Sequence, residues 1–592
     1  MDSHYLYRFG PFSLDTRERL LFRDGSQVAL KPKAVDTLLL LLRESPRVVE
    51  KKSFMEEVWP DAYVEEGSLT VSVSEIRKAL GQDPGCQGYI ETIPRRGYRF
   101  APEPRRERLD GPAVRVAARQ SGGETDSAAT PAGTIAVLPF ANHSSDPTLD
   151  YLADGFAESI INSLSGLGGL RVKASGSSFR FRGLEAECPR VCRALGVSAL
   201  VTGRVLRFSD RLVVRVALVA ADDGAQLWGE QYDRQTSDLL EVQGEIAAKV
   251  AGRLRQRLTG DEERRLVKRS TDNLDAYRAY LEGRYFWGRR PQAGFMKGIG
   301  CFRRAVELDP GYALAYAGLA DAYGVLGSWE AGMLSPREAA ERARGYSTKA
   351  LELDEGLAEA HTSLAYVMLH YDWDWAGAER GFTRALELKP SYIHAHHWYS
   401  HLCVATGRAE QGYELSLVAV DLDPLDLIIN VHLSWHHWMT RNPSQALGEC
   451  ARAGELEPNS LWPYFFCGLA YEQQGLYADA AGQLRRAWEL SEGTTFALAG
   501  QGHALGQALD RPGAESVLRN LEEMSGSTYV PPYDMAMVHL GLGDADKALD
   551  FLDAAYEERS SWMAYLNVEP RLDPLRGHPR FAGLVQRVGL LQ

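Results

Sequence analysis

Thr92-Ile93-Pro94-Arg95-Arg96-Gly97-Tyr98-Arg99-Phe100 follows a helical pattern that carries Arg77 and Lys78, and the pair decides the fold of the first hundred residues. In the helical pattern Leu69, Val73, Ile76 and Leu80 recur at spacings of four, three and four, which makes one apolar stripe. Thr70, Ser74, Arg77 and Lys78 fall off that stripe. The order reads as a recognition helix followed by a basic β-wing, and a polar, cationic helix face suits the major groove of a duplex.

Working outward, Tyr7 to Val28 alternates apolar and polar residues in short runs broken at Gly10-Pro11 and Asp24-Gly25, a pattern of small antiparallel strands and tight turns. Ala34 to Arg43 predicts an apolar helix with a run of five leucines, Leu38 to Leu42. Ser53 is expected to cap a second helix that holds Phe54, Met55, Val58 and Trp59 and stops at Pro60. On these motifs residues 5 to 101 resemble the OmpR/PhoB-type winged-helix DNA-binding domain. The Ile-Pro-Arg-Arg-Gly-Tyr-Arg-Phe ending is similar to the CadC-like branch, which lacks a receiver domain.

That resemblance implies double-stranded promoter DNA as partner, with Thr70, Ser74, Arg77 and Lys78 on the groove-entering face and Thr92, Arg95, Arg96 and Arg99 in the wing. Wing arginines then reach phosphates or a minor groove. The acidic loop Asp61 to Glu66, with Glu65, sits where relatives contact RNA polymerase. Pro94-Arg95-Arg96 at the tip departs from the commoner wing, and the plainer reading of Arg95 and Arg96 is a solvated hairpin tip.

A chain of 592 residues with 45% hydrophobic content holds several packed domains. Its formal charge of −13 belongs to the whole chain, whereas attraction to phosphates depends on the local face. From Arg77 to Arg108 basic residues outnumber acidic ones. No signal peptide and no run of about eighteen apolar residues is legible, so a cytoplasmic protein without membrane attachment is expected. Seven scattered cysteines fit reduced thiols, and Cys188 with Cys192 has the spacing of a redox or metal pair, though no second pair lies nearby.

The composition divides the chain into a winged-helix domain (1–102), a flexible tether (103–133), an α/β domain (134–260) and a repeat array (274–592). The tether is rich in Pro, Arg, Gly, Ser and Ala and too poor in large apolar residues to fold. In the α/β domain, Thr134 to Phe140 predicts a buried strand, Leu149 to Leu164 a helix, Val197 to Phe208 and Leu212 to Ala220 a hairpin, Leu227 to Tyr232 a strand and Ser237 to Leu258 a closing helix. Ile135 to Phe140, Tyr151 to Gly155, Leu195-Gly196-Val197 and Leu227 to Asp233 make it resemble the TolB-like domain, which implies a sensor or interaction module without catalysis. Asp150 and Asp154 read as helix-start and turn residues rather than an acid/base pair.

Ala385, Ala419, Ala453, Ala487, Leu521 and Ala555 stand 34 residues apart, the tetratricopeptide spacing, and Ala305 and Ala350 join the series with an eleven-residue insertion between them. The expected fold is therefore multidomain α+β: a winged helix-turn-helix, then an α/β TolB-like domain, then an all-α tetratricopeptide solenoid. Resemblance to that repeat family points His394, His397 and His401, then Ile428, Val431, Trp435 and Trp438, then Trp462, Phe465 and Leu469 at the concave groove. Such a surface suits an apolar or amphipathic peptide or the protein's own second domain, unless the rings pack within the superhelix. His397 with His401, and His432 with His436, have zinc-capable spacing, but nothing local completes either motif and no metal or other cofactor is expected.

No phosphate-binding Gly-rich loop, nucleophile elbow or kinase motif set is present, so an enzyme is not expected. The sequence predicts a one-component transcription regulator related to phosphorelay proteins, in which a protein, peptide or small ligand shifts the DNA-binding domain, for instance by homodimerisation on DNA. The competing prediction is a repeat scaffold or adaptor with weak DNA affinity.

Overall fold

Four short strands open the computed structural model: Tyr5–Phe9 (β1), Phe12–Asp15 (β2), Leu20–Arg23 (β3) and Ser26–Val28 (β4). Tyr7, Phe9, Phe12, Leu14 and Leu21 are buried, as the alternation predicts. The structure describes residues 5–9, 12–15, 20–23, 26–28, 30, 32–45, 47–58, 66–80, 89–93, 96–101, 105–108, 133–144, 150–208, 211–235, 238–254, 260, 262, 266, 270–288, 292–328, 333–491 and 493–590. The chain divides into two compact units, Met1–Gly123 and Glu124–Gln592.

In the first unit the strands are followed by Pro32–Glu44 (α1), Val48–Glu50 (β5), Lys51–Val58 (α2), Glu66–Ala79 (α3) and the hairpin Ile90–Ile93 (β6) and Gly97–Phe100 (β7). Leu38, Leu41, Phe54, Leu69, Val73, Ile76, Leu80 and Phe100 close one core, so the apolar stripe of α3 faces inward. β5 pairs with β7 and anchors the wing to the helices. Ser53 does not cap α2: the helix begins at Lys51, because β5 runs straight into it, and Ser53 lies in its first turn. Trp59 and Pro60 lie outside the described residues. Arg105–Arg108 (β8), inside the stretch assigned to the tether, pairs antiparallel with β1 and completes the sheet β4-β3-β2-β1-β8. An edge strand needs only backbone donors and acceptors, which an apolar-poor composition still supplies. Of the rest of the tether, residues 103–104 and 109–132 lie outside the described residues.

The second unit begins with Thr134–Val137 (β9), followed by Ala141–Asn142 (β10), Asp150–Ser165 (α4), Arg171–Val172 (β11), Ser175–Ser178 (α5), Cys188–Leu195 (α6), Ala199–Phe208 (β12), Arg211–Ala220 (β13), Gln226–Gln235 (β14) and Leu239–Leu254 (α7). The sheet order is β11-β9-β12-β13-β14, with β10 beside β12. All four residues of β9 are buried, as befits a parallel strand covered on both faces. α4 and α7 share a core with one face, and α6 packs with Ala136, Leu138 and Leu200 of the other.

The repeats follow as antiparallel helix pairs, from Leu274–Gly288 with Gln292–Leu308 to Pro532–Gly541 with Ala545–Glu557. Ala305, Ala350, Ala385, Ala419, Ala453, Ala487, Leu521 and Ala555 each lie near the end of a second helix and are wholly buried. A small residue there lets neighbouring helices close up. Ala350 and Ala385 are 35 residues apart, one more than the period, and a π-helical turn at Met368–Asp372 absorbs the extra residue. The array ends in two 3-10 turns, Ser561–Tyr565 and Pro570–Leu575, and a helix Pro579–Arg587.

The α/β domain and the repeats share one hydrophobic core. Gly155 on α4 allows it: a Cβ there would lie 2.7 Å from the methyl carbons of Leu281 on the first repeat helix. The Ala174 amide donates to the Leu422 carbonyl at 2.8 Å, and the buried Lys173 ammonium lies 3.1 Å from Asp421 Oδ1.

Candidate functional site

The recognition helix and wing form the first candidate site. Ser74 and Lys78 are exposed on α3, and Thr92 and Arg96 are exposed on the wing. Arg77 is not presented in the same way. Its Nη2 donates to the Ile90 carbonyl at 3.0 Å and to Thr92 Oγ1 at 2.8 Å, so it braces helix against wing. Arg99 pairs across the hairpin with Glu91, Nε to Oε2 at 3.0 Å, in the register that sets the two residues opposite each other. The wing turn is tied down as the Lys51 amide donates to the Arg96 carbonyl at 3.3 Å. The side chains of Thr70 and Glu66, and Asp61, Glu65 and Arg95 altogether, lie outside the described residues.

The second candidate site is a cavity of about 440 Å³ between the α/β domain and the repeats. Its polar lining is pre-paired: Arg182 clamps Asp154 with contacts of 2.6 and 2.7 Å, and Arg284 grips Glu158 Oε1 at 2.6 and 3.1 Å. Asp154 is thus an ion-pair partner of the lining, while Asp150 accepts from Asn142 Nδ2 at 2.8 Å. Trp287, Trp398, Ile393 and Ile428 supply the apolar walls.

Asp423, on the same wall, accepts from the Ser177 hydroxyl, whose oxygen accepts the Leu425 amide at 2.7 Å. Burial, and then repulsion from Asp426, pushes the Asp423 carboxyl up to about 7. Because the folded value lies above the ordinary one, the stabilising contribution of this group is complete below about pH 4 and is lost as pH rises through the folded value. Asp423→Asn keeps the shape and stays neutral. It is expected to remove a decline of up to about 1.4 kcal/mol per pH unit in stability over that window, read from denaturant titrations at several pH values. Identical pH profiles for the variant and the parent would refute the assignment.

The concave repeat face is the third candidate, where the sequence left a ligand-binding groove and packing of the rings within the superhelix both open. Val431, Trp435, Trp438 and Phe465 are almost fully buried, as are His397 and His401, while His394 and Trp462 are half-buried. The cover is the chain's own carboxy-terminal segment. The Tyr565 hydroxyl lies 2.9 Å from His370 Nε2 and 2.8 Å from His401 Nδ1, and its ring meets Trp435 edge-on at 5.3 Å. Trp562 packs on Trp438. Tyr565 and Trp562 thus cover Trp435 and Trp438, while Phe465 packs against Phe466 and Phe496. Buried His370, with its value held at about 3, and His436, at about 4, are neutral imidazoles because desolvation disfavours their charged forms.

Cys188 and Cys192 lie buried in the cluster beneath the sheet, and burial raises the Cys192 thiol to about 12. The only metal-capable groups of three His, Cys, Asp or Glu side chains among the described residues come down to His397, His401 and His432. Among the described residues no helix is long and apolar enough to cross a membrane.

Residues 25–100 match the family described as "Transcriptional regulatory protein, C terminal". The chain is 32% identical over 237 residues to "Putative adenylate cyclase 3" of Rhizobium meliloti (strain 1021), and the match spans 40% of each protein. It is 22% identical over 466 residues to the transcriptional regulator HilA of Salmonella typhi, covering 78% of each. Among solved structures, the DNA-binding domain of E. coli CadC matches at 29% identity with a TM-score of 0.15, covering 17% of this chain and 94% of that domain. The amino-terminal domain is an OmpR/PhoB-type winged helix, and the chain continues into a sheet-containing middle region and a tetratricopeptide-like helical region. The family match and the regulator relatives support DNA-binding transcription regulation.

Proposed function

We propose that this protein is a cytoplasmic one-component transcription regulator: the winged helix binds promoter DNA in a sequence-specific way, and the second unit senses a ligand. The observation that carries the DNA-binding reading is the exposure of Ser74, Lys78 and Arg96 on a recognition helix and wing braced by Arg77 and Arg99. Polar and cationic groups held on a rigid scaffold read bases and phosphates without a large ordering cost. Asp61, Glu65 and Glu66 are proposed to meet RNA polymerase, and binding as a homodimer would double the contacts.

The middle region is proposed to be a TolB-like domain whose junction with the repeats is the sensor. The 440 Å³ cavity supports a small ligand there, since it is of ligand size and combines aromatic walls with ion-paired carboxylates and guanidiniums. A protein or peptide partner of the repeats would use surfaces outside the segment covered by Tyr565.

The test is fluorescence anisotropy of the full-length protein on its own upstream duplex across a salt series, beside a Ser74→Ala, Lys78→Ala, Arg96→Ala variant. Binding whose logarithm falls linearly with log salt, with a shallower slope in the variant, is the expected result. No saturable binding by the parent at about 50 mM salt would overturn the reading.

A further inference from the structure

We propose that His397, His401 and His432 form a transition-metal site in the core of the repeats, with zinc(II) as its reference ion and one coordination position left for a small ligand. His397 and His401 stand one turn apart on the helix Ile393–Ala405, and His432 comes from the neighbouring helix Leu427–Met439. One nitrogen from each lies within 4.8 Å of the others. The three rings are mutually in contact, with centroids 4.4 to 4.9 Å apart. Zinc–nitrogen bonds of about 2.0–2.1 Å require ligand nitrogens roughly 3.4 Å apart and ring planes that meet at the ion, so the stacked rings of His401 and His432, 16° apart in plane, turn when it binds.

Two further observations point to an ion rather than to ring packing alone. His401 Nε2 is buried and has no hydrogen-bond partner, a costly state for imidazole in an apolar core. Its other nitrogen is held by the Tyr565 hydroxyl, and His432 Nε2 is held by Ser400 Oγ at 2.8 Å and Ser416 Oγ at 3.1 Å. Such outer contacts occupy one nitrogen of each ring and leave the opposite one for an ion. A small chamber lined by the three histidines shares His397 and Ile428 with the larger cavity. Three imidazole nitrogens with a fourth position left open match zinc sites that bind an exchangeable ligand.

The experiment uses the full-length protein stripped with a chelator and titrated with Co²⁺, read by visible d–d absorption, followed by Zn²⁺ competition and metal analysis. One ion per chain with a tetrahedral cobalt spectrum is expected. His401→Gln or His432→Gln should weaken binding at least about 100-fold, and Tyr565→Phe, which removes a positioning contact, roughly 10-fold. His436→Gln, on the same helix but outside the set, should leave affinity unchanged. Circular dichroism checks that each variant folds, and X-ray absorption on the zinc-loaded parent counts imidazole ligands even if a variant does not. Absence of binding at about 100 μM metal, fewer than three imidazoles on zinc, or full affinity in a folded His432→Gln chain would each overturn the site.

Discussion

Replacing Gly97 by alanine is expected to dismantle the wing and lower DNA affinity by about 100-fold or more, some 3 kcal/mol. A Cβ at Gly97 would sit 1.9 Å from the Val49 carbonyl oxygen and 3.0 Å from its carbon. The obstruction is backbone, which cannot rotate away as a side chain would. Relief requires β7 to leave β5, where Val48 opposes Arg99, Val49 opposes Tyr98 and Glu50 opposes Gly97. The Lys51 to Arg96 backbone bond goes with it. Arg96 is then no longer held against the body of the domain, and Arg77 loses the strand it braces. Anisotropy on upstream DNA reads the affinity, and hydrogen exchange of the Gly97–Phe100 amides reads the wing. A Gly97→Ala protein that binds as tightly as the parent, with those amides still protected, would show that the wing tolerates the displacement and carries no binding energy.

The wing was legible because it is local. Nine consecutive residues hold its turn, its basic groups and its glycine, and the preceding stripe of α3 is set by spacings of three and four. The roles of Arg77 and Arg99 were not legible, since lying off an apolar stripe says nothing of where a long guanidinium returns to bond. The two arginines meet partners 15 and 8 residues away in sequence, a matter of strand register rather than of pattern. β5 was missed for a related reason: three residues are too few for alternation to register. In the array the 34-residue period marked the helix pairs because one small residue recurs where helices crowd. The closure of its concave face had no such signal. Tyr565 reaches His370 across 195 residues from a 3-10 turn without periodicity, and only the assembled superhelix brings them together.

Glycine substitutions in the array are expected to divide by sign, and Gly541→Ala carries the largest loss of stability, about 3 kcal/mol or more. A Cβ there would lie 2.5 Å from the His503 carbonyl oxygen and 2.6 Å from its Cα, and one at Gly506 would lie 2.4 Å from the Gly541 carbonyl. The helices Thr495–Gln507 and Pro532–Gly541 therefore cross backbone to backbone, and any side chain at the crossing pushes them apart. The separation propagates, since Val538 and Leu540 of the second helix belong to packed clusters on either side. Gly482 is the counterexample. It lies exposed within the helix Tyr477–Leu490 with nothing within 4 Å of a built Cβ, so Gly482→Ala removes only backbone freedom from the unfolded chain. A gain of about 0.5–1 kcal/mol is expected there. Denaturant unfolding monitored by far-ultraviolet circular dichroism measures both, because stacked repeats transmit a local loss to their neighbours. Equal midpoints for Gly541→Ala and the parent would mean that the two helices can separate without cost, and the close crossing would then be no determinant of the array.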